Sequence, residues 1–337
     1  MSLSLQKQAE IRKVFKFKGL PYNPFRRDLY TVEELMQGYT AKHPERSLDA
    51  RIAQYFLKKS KKHPEIHEAL AQRIHDHAID SALYKFVNPK AKATRKIIGV
   101  MGSHSTARNA VNYAKIARLS WLLVRRGFCI VTGGGPGIME AANLGAYLAD
   151  YPETALTDAI KELSKVPTYP GNEVPYVAVA SEVRAHFKDS GVSLAIPTWT
   201  YSTEPTGLFS SQIGKYFSNS IREDGLLAIA AWGVVFAPGS AGTLQEIFQD
   251  TAHNSYWSFH SRGPMVFLDK SVFGAPPSIF DVVLARATQD KYGDLLALLD
   301  SPEDVVDFIL AHPMQSEPKP KQARTFGFSN HLLSKRK

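Results

Sequence analysis

The sequence predicts an α/β protein with a doubly wound, Rossmann-like parallel sheet preceded by a helical region. Three observations predict it. From Arg95 onward, short apolar runs alternate with helical patterns, as in a parallel sheet covered on both faces. Two of those runs end in glycine-rich turns about a hundred residues apart, Thr132-Gly-Gly-Gly-Pro-Gly-Ile-Met-Glu140 and Pro238-Gly-Ser-Ala-Gly-Thr-Leu-Gln-Glu246. Each turn opens a helix, and a helix N-terminus presents bare N–H groups and a positive dipole end to an anion.

Before Arg95 the chain reads as short helical pieces broken by Pro21, Pro24, Pro44, Pro64 and Pro89. Thr31 with Glu34 three residues on forms a capping box, and Ser47 caps a helix from Leu48 to Leu57. A longer helix is expected from Pro64 to Phe86. His63, His67, His75 and His77 fall in this region and lack a ligand pattern around them, so they are expected on the surface rather than at a metal.

Strand expectations then follow in order at 96–101, 127–131, 177–180, 193–197, 233–237 and 264–269. Helices are expected from Asn109 to Arg126, from Gly137 to Ala149, closing over Leu226–Ile229, from Asp281 to Thr288 and from Pro302 to Leu310. Residues 150–175 read as a polar insertion. The resulting division is a basic helical region (1–94), a nucleotide-binding core (95–312) and a flexible basic tail (313–337).

Charge follows the same division. Residues 1–100 carry 20 Lys and Arg against 10 Asp and Glu, whereas residues 101–312 carry 15 against 21. The acidic core argues against nucleic acid as the ligand, and the basic extensions read first as solvated faces. No apolar stretch reaches the ~20 residues needed to cross a bilayer, and the N-terminus has no apolar signal core. Cys129, the single cysteine, lies in an expected buried strand and points to an inert thiol in a cytoplasmic protein.

The first turn departs from the dinucleotide fingerprint, since neither Ile138 nor Glu140 supplies its third glycine. Neither turn is followed by Gly-Lys-Ser/Thr, which excludes a Walker-type site. The pair of turns instead resembles the LOG family, often labelled "lysine decarboxylase", over roughly residues 95 to 312. Its better-understood members are phosphoribohydrolases. The Gly-Pro-Gly-Ile-Met-Glu-Ala form of the first turn and the long N-terminal region resemble the larger bacterial nucleotide nucleosidases.

That resemblance implies an N-glycosyl hydrolase that cleaves nucleoside 5′-monophosphates to free base and ribose 5-phosphate, needing no cofactor or metal and forming a homodimer or higher homo-oligomer. It makes Glu246 the catalytic carboxylate and Arg222 its partner. Arg222 is the sole arginine between Arg184 and Arg262. Two positions depart from the family pattern: Glu223 stands where lysine usually follows the arginine, and Ser240 stands where the second turn usually has glycine.

A carboxylate beside the ribose suits the oxocarbenium-like charge that glycosidic cleavage develops. The 5′-phosphate is expected on Gly134, Gly135, Gly137, Gly239, Ser240, Ala241, Gly242 and Thr243, with Gly102 and Ser103 along the base or ribose edge. Glu204 lies on a loop expected at the same end of the sheet, as a ligand contact or a solvated glutamate. Two other classes remain open on the residues alone: a nucleotide sensor without turnover, and a nucleic-acid-binding protein. No lysine sits in a recognisable decarboxylase context. The base is not encoded in these motifs, because the pocket walls fall in the loops of 150–220.

Overall fold

A computed structural model describes residues 5–14, 19–60, 64–89, 93–188, 191–201 and 205–318. Thirteen α-helices are formed among these residues: α1 (Leu5–Val14), α2 (Val32–Leu35), α3 (Leu48–Tyr55), α4 (Ile66–Val87), α5 (Val111–Arg125), α6 (Ile138–Tyr147), α7 (Glu153–Leu163), α8 (Glu173–His186), α9 (Asn219–Ile229), α10 (Ala241–Tyr256), α11 (Lys270–Phe273), α12 (Ile279–Gln289) and α13 (Pro302–Ala311). Nine strands accompany them: β1 (Ile97–Met101), β2 (Cys129–Thr132), β3 (Ser193–Ala195), β4 (Gln212–Ile213), β5 (Val234–Phe236), β6 (Ser261–Arg262), β7 (Met265–Leu268), β8 (Leu296–Leu299) and β9 (Gln315–Ser316).

Seven strands form one sheet in the order β4-β3-β2-β1-β5-β7-β8, and every pairing is parallel. The chain winds outward from β1 to β4, then returns to the other side of β1 to lay down β5. That reversal puts the topological switch point between β1 and β5. β1, β2, β5 and β7 are buried along their whole length, which is why they read as unbroken apolar runs. The tightest helix packing is α5 against α6. A Cβ at Gly145 would stand 1.9 Å from the Ala117 carbonyl oxygen, so only glycine lets the two backbones approach. Trp121 Nε1 on α5 then donates to the Leu148 and Tyr151 carbonyls just past α6.

Both expected caps form: the Glu34 amide donates to Thr31 Oγ1 and the Ala50 amide to Ser47 Oγ. The N-terminal helices share the sheet's core, with Leu35, Ile52, Ile79 and Leu83 buried in the same cluster as Ile213 and Phe217. Tyr30 also exchanges backbone hydrogen bonds with Ile213 at 2.9 Å each, extending the sheet at its β4 edge.

Two expectations are corrected, at 177–180 and at His75, and two segments take on structure that was not foreseen. Residues 177–180 lie in α8 rather than a strand: a four-residue apolar run does not separate the two, and the buried positions Tyr176, Ala180 and Val183 follow a helical period. The 150–175 segment holds α7, whose Leu156, Ala159 and Leu163 are buried. Leu296–Leu299, whose leucine and alanine favour helix, becomes β8 by pairing with β7. His75 is fully buried rather than on the surface, whereas His67 and His77 are exposed and His63 lies outside the described residues. Past Pro313, Gln315–Ser316 pair antiparallel with Ser261–Arg262; residues 319–337 lie outside the description. Cys129 is a buried free thiol, and burial pushes its pKa up to about 12. No helix among the described residues is long and apolar enough to cross a membrane.

Candidate functional site

The two glycine turns leave β2 and β5 at the same, carboxyl end of the sheet, because both strands run parallel to β1. The loop after β1 joins them. The Ser103 amide donates to the Pro238 carbonyl at 3.1 Å, and the Ile138 amide donates to the Ser103 carbonyl at 3.0 Å. Gly102 is a spacer here, since a Cβ on it would meet Ile138 Cγ2 at 2.7 Å and Ala237 Cβ at 3.1 Å. Gly137 has φ +70°, and a Cβ there would lie 2.5 Å from the Ser103 carbonyl oxygen.

The first turn is closed. Residues 133 to 137 are all buried, and the Gly134 amide is engaged by Thr132 Oγ1, which also accepts from Asn143. Its acid is engaged too. Glu140 accepts from Arg108 Nε and Nη2 at 2.9 and 2.6 Å, from Tyr113 OH at 3.0 Å and from Tyr176 OH at 2.6 Å. Arg108 is fully buried and also lies over the Tyr176 ring.

The second turn is open. Gly239, Ser240, Ala241 and Gly242 are exposed, and no hydrogen bond among the described residues engages the amides of Ala241, Gly242 and Thr243. Those are the leading amides of a 16-residue helix, where the dipole favours an anion. Ser240 is extended at φ −97°, ψ −160°, so its departure from glycine brings no left-handed strain. Thr243 is buried against Gly239: a Cβ on that glycine would fall 2.0 Å from Thr243 Oγ1.

Arg222, on the second turn of α9, reaches across to the first glycine turn. Its Nη1 lies 3.4 Å from the position of a Cβ on Gly133. Nη2 donates to Asn219 Oδ1 at 2.8 Å, while the buried Nε has no hydrogen-bond partner among the described residues. Glu246 lies within electrostatic reach of the same guanidinium. Burial pushes its carboxyl up to about 7, against the pull of the Arg222 charge and with a further push from Glu223. Glu246 makes no side-chain hydrogen bond among the described residues.

Glu223, by contrast, is tied at both oxygens: Oε1 accepts from Asn219 Nδ2 at 2.8 Å and Oε2 from Gln245 Nε2 at 2.6 Å. A lysine there would lose both bonds, so this departure comes with its own partners. Glu204 lies outside the described residues. No group of three His, Cys, Asp or Glu among the described residues is arranged to hold a metal.

The structure thus brings Arg222, Glu246, Gly102, Ser103 and both turns together at the switch point. Sequence reasoning did not find Arg108, which nothing in its surroundings marks. Nor did it find Asp49 and Asp76 of the N-terminal helices, which lie against the approach to α9.

Residues 95–150 match the model of the SLOG cluster4 family, which covers β1, the first glycine turn and α6. Among solved structures, the chain is similar to the molybdenum cofactor binding protein of the phototrophic bacterium Rippkaea orientalis, with 16% identity and a TM-score of 0.40, over 65% of this chain and 98% of that one. It is also similar to the molybdenum cofactor carrier protein of Chlamydomonas reinhardtii, with 17% identity and a TM-score of 0.38, over 64% and 98%. No curated protein matches the chain.

Proposed function

We propose that this chain hydrolyses the N-glycosidic bond of a nucleoside 5′-monophosphate, giving free base and ribose 5-phosphate. The observation that carries the reading is a half-buried carboxylate without hydrogen bonds among the described residues, Glu246, within reach of the Arg222 charge and beside an open helix N-terminus. The phosphate binds at the unengaged leading amides of α10, those of Ala241, Gly242 and Thr243, and anchors the sugar by interactions remote from the reacting carbon. With its pKa near 7, Glu246 is partly ionised at neutral pH and suited to take a proton from water. The water oxygen bonds to C1′ as the C1′–N bond breaks, the electron pair leaves with the base, and the base takes up the proton that Glu246 removed from the water. The Glu246 charge stabilises the oxocarbenium-like ribose, and Arg222 keeps that carboxylate ionisable.

Homodimerisation belongs to the same reading. Leu244, Phe248, Ala252 and Tyr256 recur every four residues along α10 and are all exposed, forming an apolar stripe on the helix that carries Glu246. Sedimentation at micromolar concentration giving only a 37 kDa species counts against it. The cytoplasm is the compartment that suits the single buried thiol.

Incubation with a panel of ribonucleoside 5′-monophosphates and the matching nucleosides, with free base resolved by chromatography, tests the activity. Nucleotides are cleaved and nucleosides are not, because the latter lack the anchor. Equal rates on both remove the phosphate site. Binding of nucleotides without release of base moves the chain to the sensor class.

A further inference from the structure

Four consecutive residues before α9 are held from the N-terminal helices. Lys215 Nζ donates to Asp49 Oδ2 at 2.9 Å, and Asp49 also accepts from Trp199 Nε1 and Thr206 Oγ1. Tyr216 OH donates to Asp80 Oδ1 at 2.7 Å. The backbone amides of Phe217 and Ser218 donate to Asp76 Oδ1 and Oδ2, each at 3.0 Å. Three aspartates from α3 and α4 therefore fix residues 215 to 218 in sequence.

Asp76 stands apart from the other two because it holds backbone rather than side chains. Ser218 is the N-cap of α9, yet its own side chain makes no capping bond. A carboxylate from α4 instead fixes the N-cap residue and the one before it, through charge-assisted bonds to their two amides at the positive end of the helix. Arg222 is the next link, because its amide donates to the Ser218 carbonyl at 3.2 Å. Asp76 is itself oriented from behind: His75 Nδ1 lies 3.2 Å from Oδ1, and His75 Nε2 lies 2.8 Å from Tyr30 OH. Asp76, His75 and Tyr30 are buried, and the ring of His75 is enclosed by Tyr22, Tyr30, Trp199 and Phe217.

We propose that Asp76 is a positioning residue for the site: by fixing the backbone at the entry to α9, it sets the register in which that helix delivers Arg222 between the first glycine turn and Glu246. The inference rests on the hydrolase reading for its consequence in turnover, but not for its geometry. It gives the helical N-terminal region a role in the site at the carboxyl end of the sheet.

The test reads the Glu246 carboxyl directly, in full-length protein carrying carboxyl-labelled glutamate, by NMR titration with the signal assigned through Glu246→Gln. The charged groups acting on Glu246 are Arg222, which lowers its pKa, and Glu223, which raises it. Asp76→Asn puts an amide N–H against one of the two backbone donors, loosens the start of α9 and moves the guanidinium away. The Glu246 titration then shifts upward by about half a unit or more. With Arg222→Ala already present, Asp76→Asn adds no further shift, because the two act through one group. Asp80→Ala removes a bond of the same clamp that holds only the Tyr216 hydroxyl, and it leaves Glu246 where it was.

A lower melting temperature for Asp76→Asn with an unmoved Glu246 titration overturns the proposal and makes Asp76 a purely structural residue. Should Asp76→Asn not fold, Asp76→Glu, which keeps the charge but lengthens the side chain, is read in the same way. A wild type that releases no base leaves this titration readable, so the loss of the hydrolase reading and the loss of this one are distinct results.

Discussion

The two glycine turns share one sequence grammar, an apolar strand, a glycine turn and a helix bearing a glutamate, yet the fold uses them in opposite ways. The first is buried, and Glu140 is surrounded by one guanidinium and two tyrosine hydroxyls. The second is exposed, and Glu246 is half-buried without a hydrogen bond among the described residues. A carboxylate whose lone pairs are all engaged stabilises structure. One that is partly desolvated and left without hydrogen bonds beside a cation is a candidate for chemistry. The motif alone does not distinguish them; the surrounding donors do.

The sharpest way to break this contrast is to neutralise each glutamate in turn. Glu140→Gln removes the negative charge beside the fully buried Arg108 guanidinium and turns one of the two oxygens that accept from it into a donor. Removing one partner of a buried pair costs about 3–5 kcal/mol. Denaturant unfolding should show that loss, while turnover well below the melting transition persists. Unchanged stability together with lost turnover would reverse the roles assigned to the two turns.

Glu246→Gln should do the opposite. Its kcat falls by about a hundredfold or more with little change in KM, since the charge acts chiefly in the transition state. Its stability effect depends on pH, with a definite sign. The folded carboxyl titrates near 7, above its ordinary 4.5, so the native state holds the proton longer than the unfolded chain does. The group's contribution to stability is thus fully present below about 4.5 and is lost as pH rises through 7. Glutamine stays neutral throughout. Thermal melts should therefore show Glu246→Gln more stable than wild type at pH 8 and matching it at pH 4. Wild-type turnover, needing the ionised form, should rise as pH passes 7. Asp80 and Asp250 are pushed up by burial to about the same value, so the difference between variant and wild type isolates Glu246.

These contrasts also mark what could be read before folding. Ile97–Met101, Cys129–Thr132 and Val234–Phe236 were legible because strands buried on both faces leave unbroken apolar runs, and the turns were legible because glycine is required where backbones meet. Arg222 and Glu246 were reachable through the family resemblance. The engagement of Glu140 was not, because Arg108 lies 32 residues away with no periodic relation to it. The Asp76 contact was still less so, joining positions 142 residues apart through packing that no local pattern encodes. Leu296–Leu299 was missed for a related reason: its strand exists only because β7 offers a free edge.

The smallest effect expected is at Ser240, and it sharpens the contrast from the other side. If the second turn needed the freedom of glycine, as Gly137 does in the first at φ +70°, serine there would strain it. Ser240 instead lies in the extended region, exposed, at the N-cap of α10 with no side-chain cap bond. Replacing an N-cap serine with glycine costs only a few tenths of a kcal/mol where the cap bond exists. Ser240→Gly should therefore change stability by no more than that. KM for a nucleoside 5′-monophosphate is the informative number. An unchanged KM leaves the phosphate on backbone amides alone, as the open helix N-terminus requires. A several-fold rise assigns the Ser240 hydroxyl a bond to the ligand, and the departure from glycine then becomes part of how this turn recognises its anion.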